Sequence, residues 1–177
     1  MSDIETGRLV LRLLPEAALA ATVAQNHAHL EALLGLGVPD VWFEEDWVAQ
    51  LRLDQLRADP AFGPWSIRAI ALKETGEILG SLNCHHLPMQ FTALGETRLA
   101  VEIGYTIFAP WRRRGFGHEA VRGFAAWAKD RGVDGLVLSV APGNHESLAL
   151  AQKLGAIKIG SQIDETDGPE DVFLAPI

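Results

Sequence analysis

A short segment rich in arginine and glycine combines residue types that can bind a large anion. It reads Arg112-Arg113-Arg114-Gly115-Phe116-Gly117 and follows an apolar stretch that ends near Phe108. A helix predicted to open at Gly117 would present backbone N–H groups and the positive end of its dipole. Gly115 and Gly117 lack a Cβ, so an anion can approach the main chain closely. The pattern predicts a diphosphate-binding turn.

Two better-known phosphate motifs do not fit this segment. It lacks the Gly-Lys-Ser/Thr ending of a kinase-type phosphate loop, and Gly-Phe-Gly is not followed by a third glycine two residues later. Taken alone, the segment could equally be a tight turn with solvated arginines. Its meaning therefore depends on the elements that position it.

Hydrophobic periodicity and turn residues predict those elements. Strands are predicted over 8–12, 65–72, 78–85, 98–108, 136–140 and near 172–174, and helices over about 15–34, 43–58, 117–131 and 144–154. Residues 73–77 read as a hairpin turn, with Gly76 at positive φ, and residues 88–97 as a loop. The helix after the arginines carries an apolar stripe, and Gly132 suits its C-terminal cap. This order predicts a mixed α/β sheet.

Length and composition are those of an ordinary globular domain. The 177 residues, 48% of them apolar, suit one domain over 1–177 with a sizeable core. No apolar run approaches the roughly 20 residues that span a bilayer, and the acidic N-terminus lacks a leader pattern, so no membrane partner and a cytoplasmic location are expected. The only cysteine, Cys84, excludes an internal disulfide.

The formal net charge of −8 bears on partners. An acidic chain repels the phosphate backbone, so no nucleic-acid partner is expected. The charge either favours a cationic substrate such as an amine or only aids solubility.

Several segments together resemble one family. Arg112-x-x-Gly115-x-Gly117 resembles the Gln/Arg-x-x-Gly-x-Gly/Ala signature of the GNAT superfamily of acetyl-CoA-dependent N-acetyltransferases. The stretches 6–12, 65–68, 75–80, 102–120 and 144–155 resemble, in the right order, the subfamily that acetylates ribosomal-protein N-termini at alanine or serine. The resemblance implies a single-domain acyl-CoA N-acyltransferase fold, in which helices flank a splayed mixed β-sheet.

The resemblance also implies which residues bind acetyl-CoA. The turn from Arg112 through Arg113, Arg114, Gly115, Phe116 and Gly117 to His118 would hold the pyrophosphate, and Arg112 or Arg114 could add charge-assisted contacts. The strand end at Thr106, Ile107 and Phe108 would pair with the pantetheine amides. Asn144 resembles the coenzyme-contacting asparagine, and it also suits a helix N-cap.

Candidates for acid-base chemistry lie on either side of the turn. A base must remove the ammonium proton of the acceptor amine, directly or through water. Glu102 is the candidate, because strand alternation turns it away from Val101 and Ile103; the alternative is a solvated or arginine-paired carboxylate. Many relatives protonate the leaving thiolate with a tyrosine of the last helix, but Ala151 stands about where one is expected. Ser147 is therefore the candidate thiol partner, or else a polar residue of the helix cap.

The remaining chemistry-bearing residues give weaker signals. His85 and His86, if they lie on a strand, point to opposite faces, so no metal site is expected. One of them could instead face an acceptor pocket, and Trp42, Phe43 and Trp47 either line that pocket or, as is favoured, belong to the core. Cys84 reads as a small buried apolar residue.

The sequence thus predicts acetyl transfer from acetyl-CoA to a primary amine, a protein N-terminus or a small molecule, in a direct ternary complex. The alternative is a non-catalytic acyl-CoA-binding module on the same fold. Both a monomer and a homodimer remain open.

Overall fold

The computed structural model describes residues 3–93, 95–164 and 168–177. The chain divides into two compact units. Unit 1 comprises Met1–Asn83 and Tyr105–Ala120, and unit 2 comprises Cys84–Gly104 and Val121–Ile177.

Unit 1 contains an antiparallel run of strands. They are β1 (Ile4–Glu5), β2 (Leu9–Leu13), β3 (Arg68–Leu72) and β4 (Ile78–Cys84, of which Cys84 falls in unit 2). β2 pairs with both β1 and β3, and β3 pairs with β4 through the predicted hairpin. Gly76 has a φ of 71°, as the turn prediction requires. The hairpin register shifts between Ile70 and Ala71, which marks a bulge.

The helices of unit 1 differ from the prediction at one point. The single helix expected over 15–34 is two helices, α1 (Glu16–Val23) and α2 (His27–Leu34). Gln25 adopts a left-handed φ of 50°, and the Asn26 side chain accepts a hydrogen bond from the backbone N–H of His29. A left-handed residue followed by an Asn cap ends one helix and starts another. α3 (Asp46–Ala58) follows a 3-10 helix over Asp40–Glu45.

These helices pack on the strands of unit 1 in one core. Leu19 of α1, Leu30 of α2 and Leu53 of α3 are buried together with Ala69 of β3 and Ile78 of β4. Buried apolar area of this kind is the main stabilising contribution to a fold.

The sequence favoured core positions for Trp42, Phe43 and Trp47, and the structure agrees only in part. Trp42 is buried, and its indole N–H donates to the Thr22 hydroxyl at 3.2 Å. Phe43 packs partly buried against the core. Trp47 is 54% exposed, so its core assignment is wrong. It lies one turn before Leu51, which is also exposed, on the outer face of α3.

Unit 2 contains two strands that the sequence did not indicate. Residues 88–97, predicted as a loop, instead contain β5 (Met89–Ala93) and the start of β6 (Glu96–Ile107, of which Tyr105–Ile107 falls in unit 1). The two strands pair antiparallel. β8 (Ile157–Asp164) pairs with β9 (Gly168–Pro176) and was also missed. Most of β8 is exposed, which removes the apolar alternation that reveals a half-buried strand.

One parallel pair makes the sheet mixed. β6 pairs with β7 (Gly135–Val140) from Ala100↔Gly135 to Glu102↔Val137. β7 continues to Val140 with no further register pair to β6 among the described residues, which is the splay that the resemblance implied. β7 pairs along its other edge with β9.

Two helices complete the chain. α4 (Phe116–Lys129) begins one residue before the predicted start, and four residues of its predicted stripe are buried: Ala120, Val121, Phe124 and Ala128. Gly132 adopts a φ of 82° after the helix, as predicted for its cap. α5 (His145–Lys153) follows β7. None of the described helices has the length and apolar character needed to cross a membrane.

Candidate functional site

The predicted anion-binding turn lies in unit 1, between β6 and α4. After a 3-10 helix over Ala109–Trp111, the backbone is left-handed at Arg113 (φ 62°) and Gly115 (φ 81°). This conformation is open to glycine and strained for arginine. The N–H of Glu119 then donates to the carbonyl of Gly115 at 3.0 Å, which starts the helical hydrogen bonding. N–H groups in the first turn of a helix have no acceptor within that helix, as an anion site requires.

Solvent reaches this turn from its basic side. Arg112, Arg113, Arg114 and Gly115 are exposed, Gly117 and His118 are half-buried, and Phe116 is buried. An anion arriving from solvent therefore meets the arginines and the helix N-terminus together, and both favour negative charge.

The partly buried carboxylate of Glu119 connects the turn to residues near the start of the chain. Glu119 Oε1 accepts hydrogen bonds from the Thr6 hydroxyl at 2.6 Å and from the backbone N–H of Arg8 at 2.7 Å. Its Oε2 accepts from Arg8 Nε at 2.7 Å, and Arg8 Nη1 donates to the carbonyl of Arg114 at 3.2 Å. Partial burial acts to raise the pKa of Glu119, but the hydrogen bonds from Thr6 and Arg8 lower it below its ordinary value.

Aromatic side chains support the same turn. The Arg8 guanidinium lies 4.3 Å from the centre of the Phe116 ring, and that of Arg114 lies 4.9 Å from the Trp111 ring. Trp111 and Phe116 meet edge to face at 6.1 Å. Cation–π and edge-to-face contacts of this kind hold the backbone of the turn in place before any ligand binds.

Hydrogen bonds and a close main-chain contact fix the strand end that precedes the turn. Arg112 Nε donates to the carbonyl of Ile107 at 2.8 Å, and the N–H of Phe108 donates to the carbonyl of Leu79 at 2.8 Å. A Cβ placed on Gly80 would lie 1.9 Å from the carbonyl oxygen of Thr106, so only glycine fits there. The N–H of Phe108 is thus engaged within the protein, and a pantetheine amide at Ile107 would have to share its carbonyl with Arg112.

Unit 2 holds the other predicted residues, and Glu102 is the centre of a polar cluster. Its side chain is 18% exposed, while Val101 and Ile103 on either side are buried, as alternation predicted. Oε1 accepts a hydrogen bond from the Ser139 hydroxyl at 2.6 Å. Burial acts to raise the pKa of Glu102, but His85, His86 and Ser139 together hold it well below its ordinary value.

The two histidines correct a sequence inference. β4 ends at Cys84, so His85 and His86 lie in a bend and not on a strand. Both therefore approach one carboxylate: His85 Nδ1 is 3.5 Å from Glu102 Oε1, and His86 Nε2 is 3.8 Å from Oε2. Within the described residues, no group of three or more His, Cys, Asp or Glu side chains could hold a metal ion. Cys84 is buried, as expected.

Asn144 and Ser147 open α5. The Asn144 side chain accepts a hydrogen bond from the N–H of Ser147 at 3.1 Å, so the predicted N-cap is present. Asn144 is exposed and Ser147 is half-buried. A capping role leaves the amide group of Asn144 available for a second contact, because an asparagine side chain carries two N–H donors besides its oxygen.

The sequence did not reveal several residues that contact Glu119 or Glu102. Thr6 and Arg8 stood within a stretch noted for its family resemblance and for a predicted strand, and Ser139 read as part of a buried strand. Nothing local could pair Arg8 with Glu119, which lies 111 residues away. The only usable signal was chemical, since a Thr and an Arg on a first strand offer donors to any carboxylate that packs beside them.

The chain matches one protein-family model. The model is described as an acetyltransferase (GNAT) domain, and it matches residues 8–157. The chain therefore belongs to the GNAT acetyltransferase family, which confirms the resemblance found in the sequence. It is an acetyl-CoA-dependent N-acetyltransferase, with acetyl-CoA as co-substrate. Among curated proteins, no relative matches.

Solved structures share the fold over nearly the whole chain. A GNAT-family acetyltransferase from Bordetella pertussis is 20% identical, with a TM-score of 0.65 over 98% of this chain and 99% of that one. Ribosomal-protein-S5-alanine acetyltransferase from Vibrio fischeri is 18% identical, with a TM-score of 0.64 over 98% and 96%. RimJ from Mycobacterium smegmatis, solved with CoA-disulfide, is 16% identical, with a TM-score of 0.61 over 99% and 86%. These likenesses show the α/β acyltransferase fold.

Proposed function

We propose that this N-acetyltransferase moves the acetyl group directly to a primary amine while donor and acceptor are both bound. The observation that carries the proposal is the clamped turn at 112–118, where two left-handed residues, three exposed arginines and a helix N-terminus coincide. Such a turn can bind a diphosphate without rearranging. Because the loop is already ordered, binding does not carry the entropic cost of ordering it.

We assign the coenzyme to the residues of this turn and of the strand before it. The N–H groups from Arg112 to His118 would take the pyrophosphate, and the strand end from Thr106 to Phe108 would face the pantetheine arm. Asn144 would add a side-chain contact. The family match over 8–157 includes all of these positions, and it supports the expectation of one domain over 1–177.

We assign proton handling to Glu102 and Ser147. Glu102 is the carboxylate that drives removal of the ammonium proton, directly or through an intervening group, and Ser147 is the partner of the departing thiolate. The neighbouring His85 and His86 and the hydrogen bond from Ser139 outweigh the effect of burial and keep Glu102 ionised at neutral pH, so it can stabilise a proton taken from an amine.

The acceptor that we favour is a protein N-terminus that begins with alanine or serine. The relative from Vibrio fischeri is named for alanine acetylation of a ribosomal protein, and this chain resembles that subfamily in several segments. The net charge of −8 also suits a cationic acceptor. A small amine such as a polyamine is the second candidate.

A thiol-release assay tests the proposal. Peptides that begin with Ala or Ser, a polyamine and free amino acids are each offered with acetyl-CoA, and acceptor-dependent release of coenzyme A is measured. Turnover with an Ala or Ser peptide is expected. Glu102→Gln should lower kcat, while the matched variant Glu96→Gln, on an exposed part of the same strand, should not.

The alternative of an acyl-CoA-binding module predicts a different result. Acetyl-CoA would then bind tightly in a calorimetric titration, and no acceptor in the panel would release thiol. That outcome would refute acetyl transfer while leaving the assignment of the turn intact.

A further inference from the structure

Arg8 brings a fourth arginine to the turn at 112–118 from a distant part of the sequence. It stands just before β2 and lies 106 residues before Arg114, and both residues belong to unit 1. The Arg8 side chain is 51% exposed, so its guanidinium is open to solvent. A guanidinium at an exposed phosphate-binding turn can bind a ligand as well as the protein.

Three contacts fix the position of this guanidinium. Arg8 Nε donates to Glu119 Oε2 at 2.7 Å, and Nη1 donates to the carbonyl oxygen of Arg114 at 3.2 Å. The ring of Phe116 lies against it, with 4.3 Å between the ring centre and Cζ of Arg8. An arginine that is already ordered loses little further side-chain freedom when it binds a ligand.

The carboxylate that holds Arg8 is fixed by two further donors. Glu119 Oε1 accepts from the Thr6 hydroxyl at 2.6 Å and from the backbone N–H of Arg8 at 2.7 Å. The Glu119 side chain is 19% exposed, so little water competes for it. Because Glu119 is held in this way, the Arg8 guanidinium keeps its orientation before any ligand binds.

The remaining nitrogen of Arg8 lies beside the turn. A guanidinium carries five N–H donors, of which Nε and Nη1 use one each for Glu119 and Arg114. In the described part of the chain, Nη2 has no acceptor. A Cβ placed on Gly115 would lie 3.6 Å from Nη2, so this nitrogen is next to the left-handed backbone of the turn. Two charged donors therefore lie close to the start of α4, where backbone N–H groups have no acceptor within the helix.

We propose that Nη2 of Arg8 donates to the diphosphate of acetyl-CoA and makes Arg8 a fourth arginine of the coenzyme site. The inference rests on the proposed function, which assigns the diphosphate to this turn. Arg8 then has two roles, because Nε and Nη1 hold the turn while Nη2 binds the anion. Glu119 is a positioning residue, since it acts on the diphosphate only through Arg8.

Calorimetric titration with coenzyme A separates a contact to the ligand from support of the turn. Arg8→Gln removes both the ion pair and the charged donor, whereas Glu119→Gln removes the ion pair and leaves the guanidinium. We expect Kd for coenzyme A to rise by about 10-fold in Arg8→Gln, as for the loss of a charge-assisted hydrogen bond. In Glu119→Gln it should rise by no more than about threefold, because a partly exposed ion pair contributes little.

Arg57→Gln is the matched control. Arg57 is 54% exposed and donates from Nε to Glu16 at 2.8 Å, so its side chain resembles Arg8 in exposure and in its partner but does not contact the turn. Its Kd for coenzyme A should equal that of the wild type. Thermal unfolding verifies that each variant folds, and Arg8→Lys, which keeps the charge without the fork, should bind with a Kd between those of Arg8→Gln and the wild type.

Two further measurements identify the phosphate and the nature of the contact. 3′-Dephospho-CoA keeps the diphosphate, so Arg8→Gln should lose the same factor with it as with coenzyme A. Raising NaCl from about 50 mM to about 500 mM should reduce the ratio of the Kd values of Arg8→Gln and the wild type, since salt screens an exposed charge contact. A purely structural loss would give a ratio that does not depend on salt.

The inference is overturned if Arg8→Gln binds coenzyme A within about twofold of Arg57→Gln, if Arg8→Gln and Glu119→Gln lose the same factor, or if the loss disappears with 3′-dephospho-CoA. These titrations need no acceptor. A wild-type enzyme that binds coenzyme A but transfers to no acceptor would refute the proposed reaction and leave this inference standing. A wild-type enzyme that binds no coenzyme A would refute the assignment of the turn and, with it, this inference.

Discussion

Gly80 is a position where a single added methyl group should disturb the strand end that we propose binds acetyl-CoA. An added Cβ would lie 1.9 Å from the carbonyl oxygen of Thr106 and 2.9 Å from its carbonyl carbon. The first distance is roughly 1.6 Å short of the about 3.5 Å at which nonbonded heavy atoms make favourable contact. Both atoms belong to main chain, so no side-chain rotation relieves the clash. Gly80→Ala must therefore displace β6 at Thr106 or β4 at Gly80.

The size of the effect follows from this geometry. Overpacking in a close-packed interior costs about 1–3 kcal/mol, and a clash with backbone belongs at the upper end of that range. For a chain of this size, about 3 kcal/mol corresponds to a fall in Tm of roughly 6–12 °C. A displacement near 1 Å at the strand end that we propose faces the pantetheine arm should lower kcat/KM for acetyl-CoA by about 10²-fold.

Thermal unfolding and acetyl-CoA titration check both numbers. Gly160→Ala is the matched control, because nothing lies within 4 Å of the Cβ it would add and its φ is not positive. The reasoning is refuted if Gly80→Ala unfolds within about 1 °C of Gly160→Ala and binds acetyl-CoA as the wild type does.

Three other perturbations have defined outcomes. Glu119→Gln removes the charge that anchors Arg8, and we expect the free energy of unfolding to fall by about 1–2 kcal/mol and acetyl-CoA affinity to weaken, since the ion pair is partly exposed. The folded pKa of Glu119 lies below its ordinary value of 4.5. The difference in free energy of unfolding between the wild type and Glu119→Gln should therefore be complete above about pH 4.5 and should vanish as the pH falls through the folded pKa. Chemical denaturation across pH 2–7 measures this difference. Ser147→Ala should lower kcat more than acetyl-CoA affinity, and the reverse result would count against a thiol contact. Trp42→Ala should lower the free energy of unfolding by about 3–5 kcal/mol, because Trp42 is buried. Trp47 is exposed, so Trp47→Ala should change the free energy of unfolding by no more than about 0.5 kcal/mol. Equal losses in the two variants would contradict their different burial.

The parts of the fold that the sequence predicted correctly depend on local chemistry. Gly76 and Gly132 adopt the positive φ expected of them, because a turn and a helix cap impose that conformation within a few residues. The stripe of α4 was predicted from apolar residues at helical spacing, and four of its members are buried in the structure. The strand–turn–helix order around the arginines belongs to the same class, since a strand end, glycines and a helix start are contiguous in the chain.

The errors arise where burial or a single backbone angle decides the structure. β5 and β8 are largely exposed, so they lack the apolar alternation by which a strand is recognised. The break at Gln25 and Asn26 was hidden by the Ala- and Leu-rich residues around it. Trp47 has the helical spacing of a core residue, yet the face of α3 that carries it is not covered by the described residues.

The chemistry of Glu102 shows why a candidate residue and its role are separate problems. Alternation along β6 was enough to direct this carboxylate away from the apolar core. Whether a carboxylate accepts a proton or orients another base depends on its partners, and here they come from a bend after β4 and from β7. The bend exists because β4 ends at Cys84, one residue earlier than the apolar pattern indicates. Because the strand ends one residue early, His85 and His86 both approach the same carboxylate, a convergence that strand alternation had excluded.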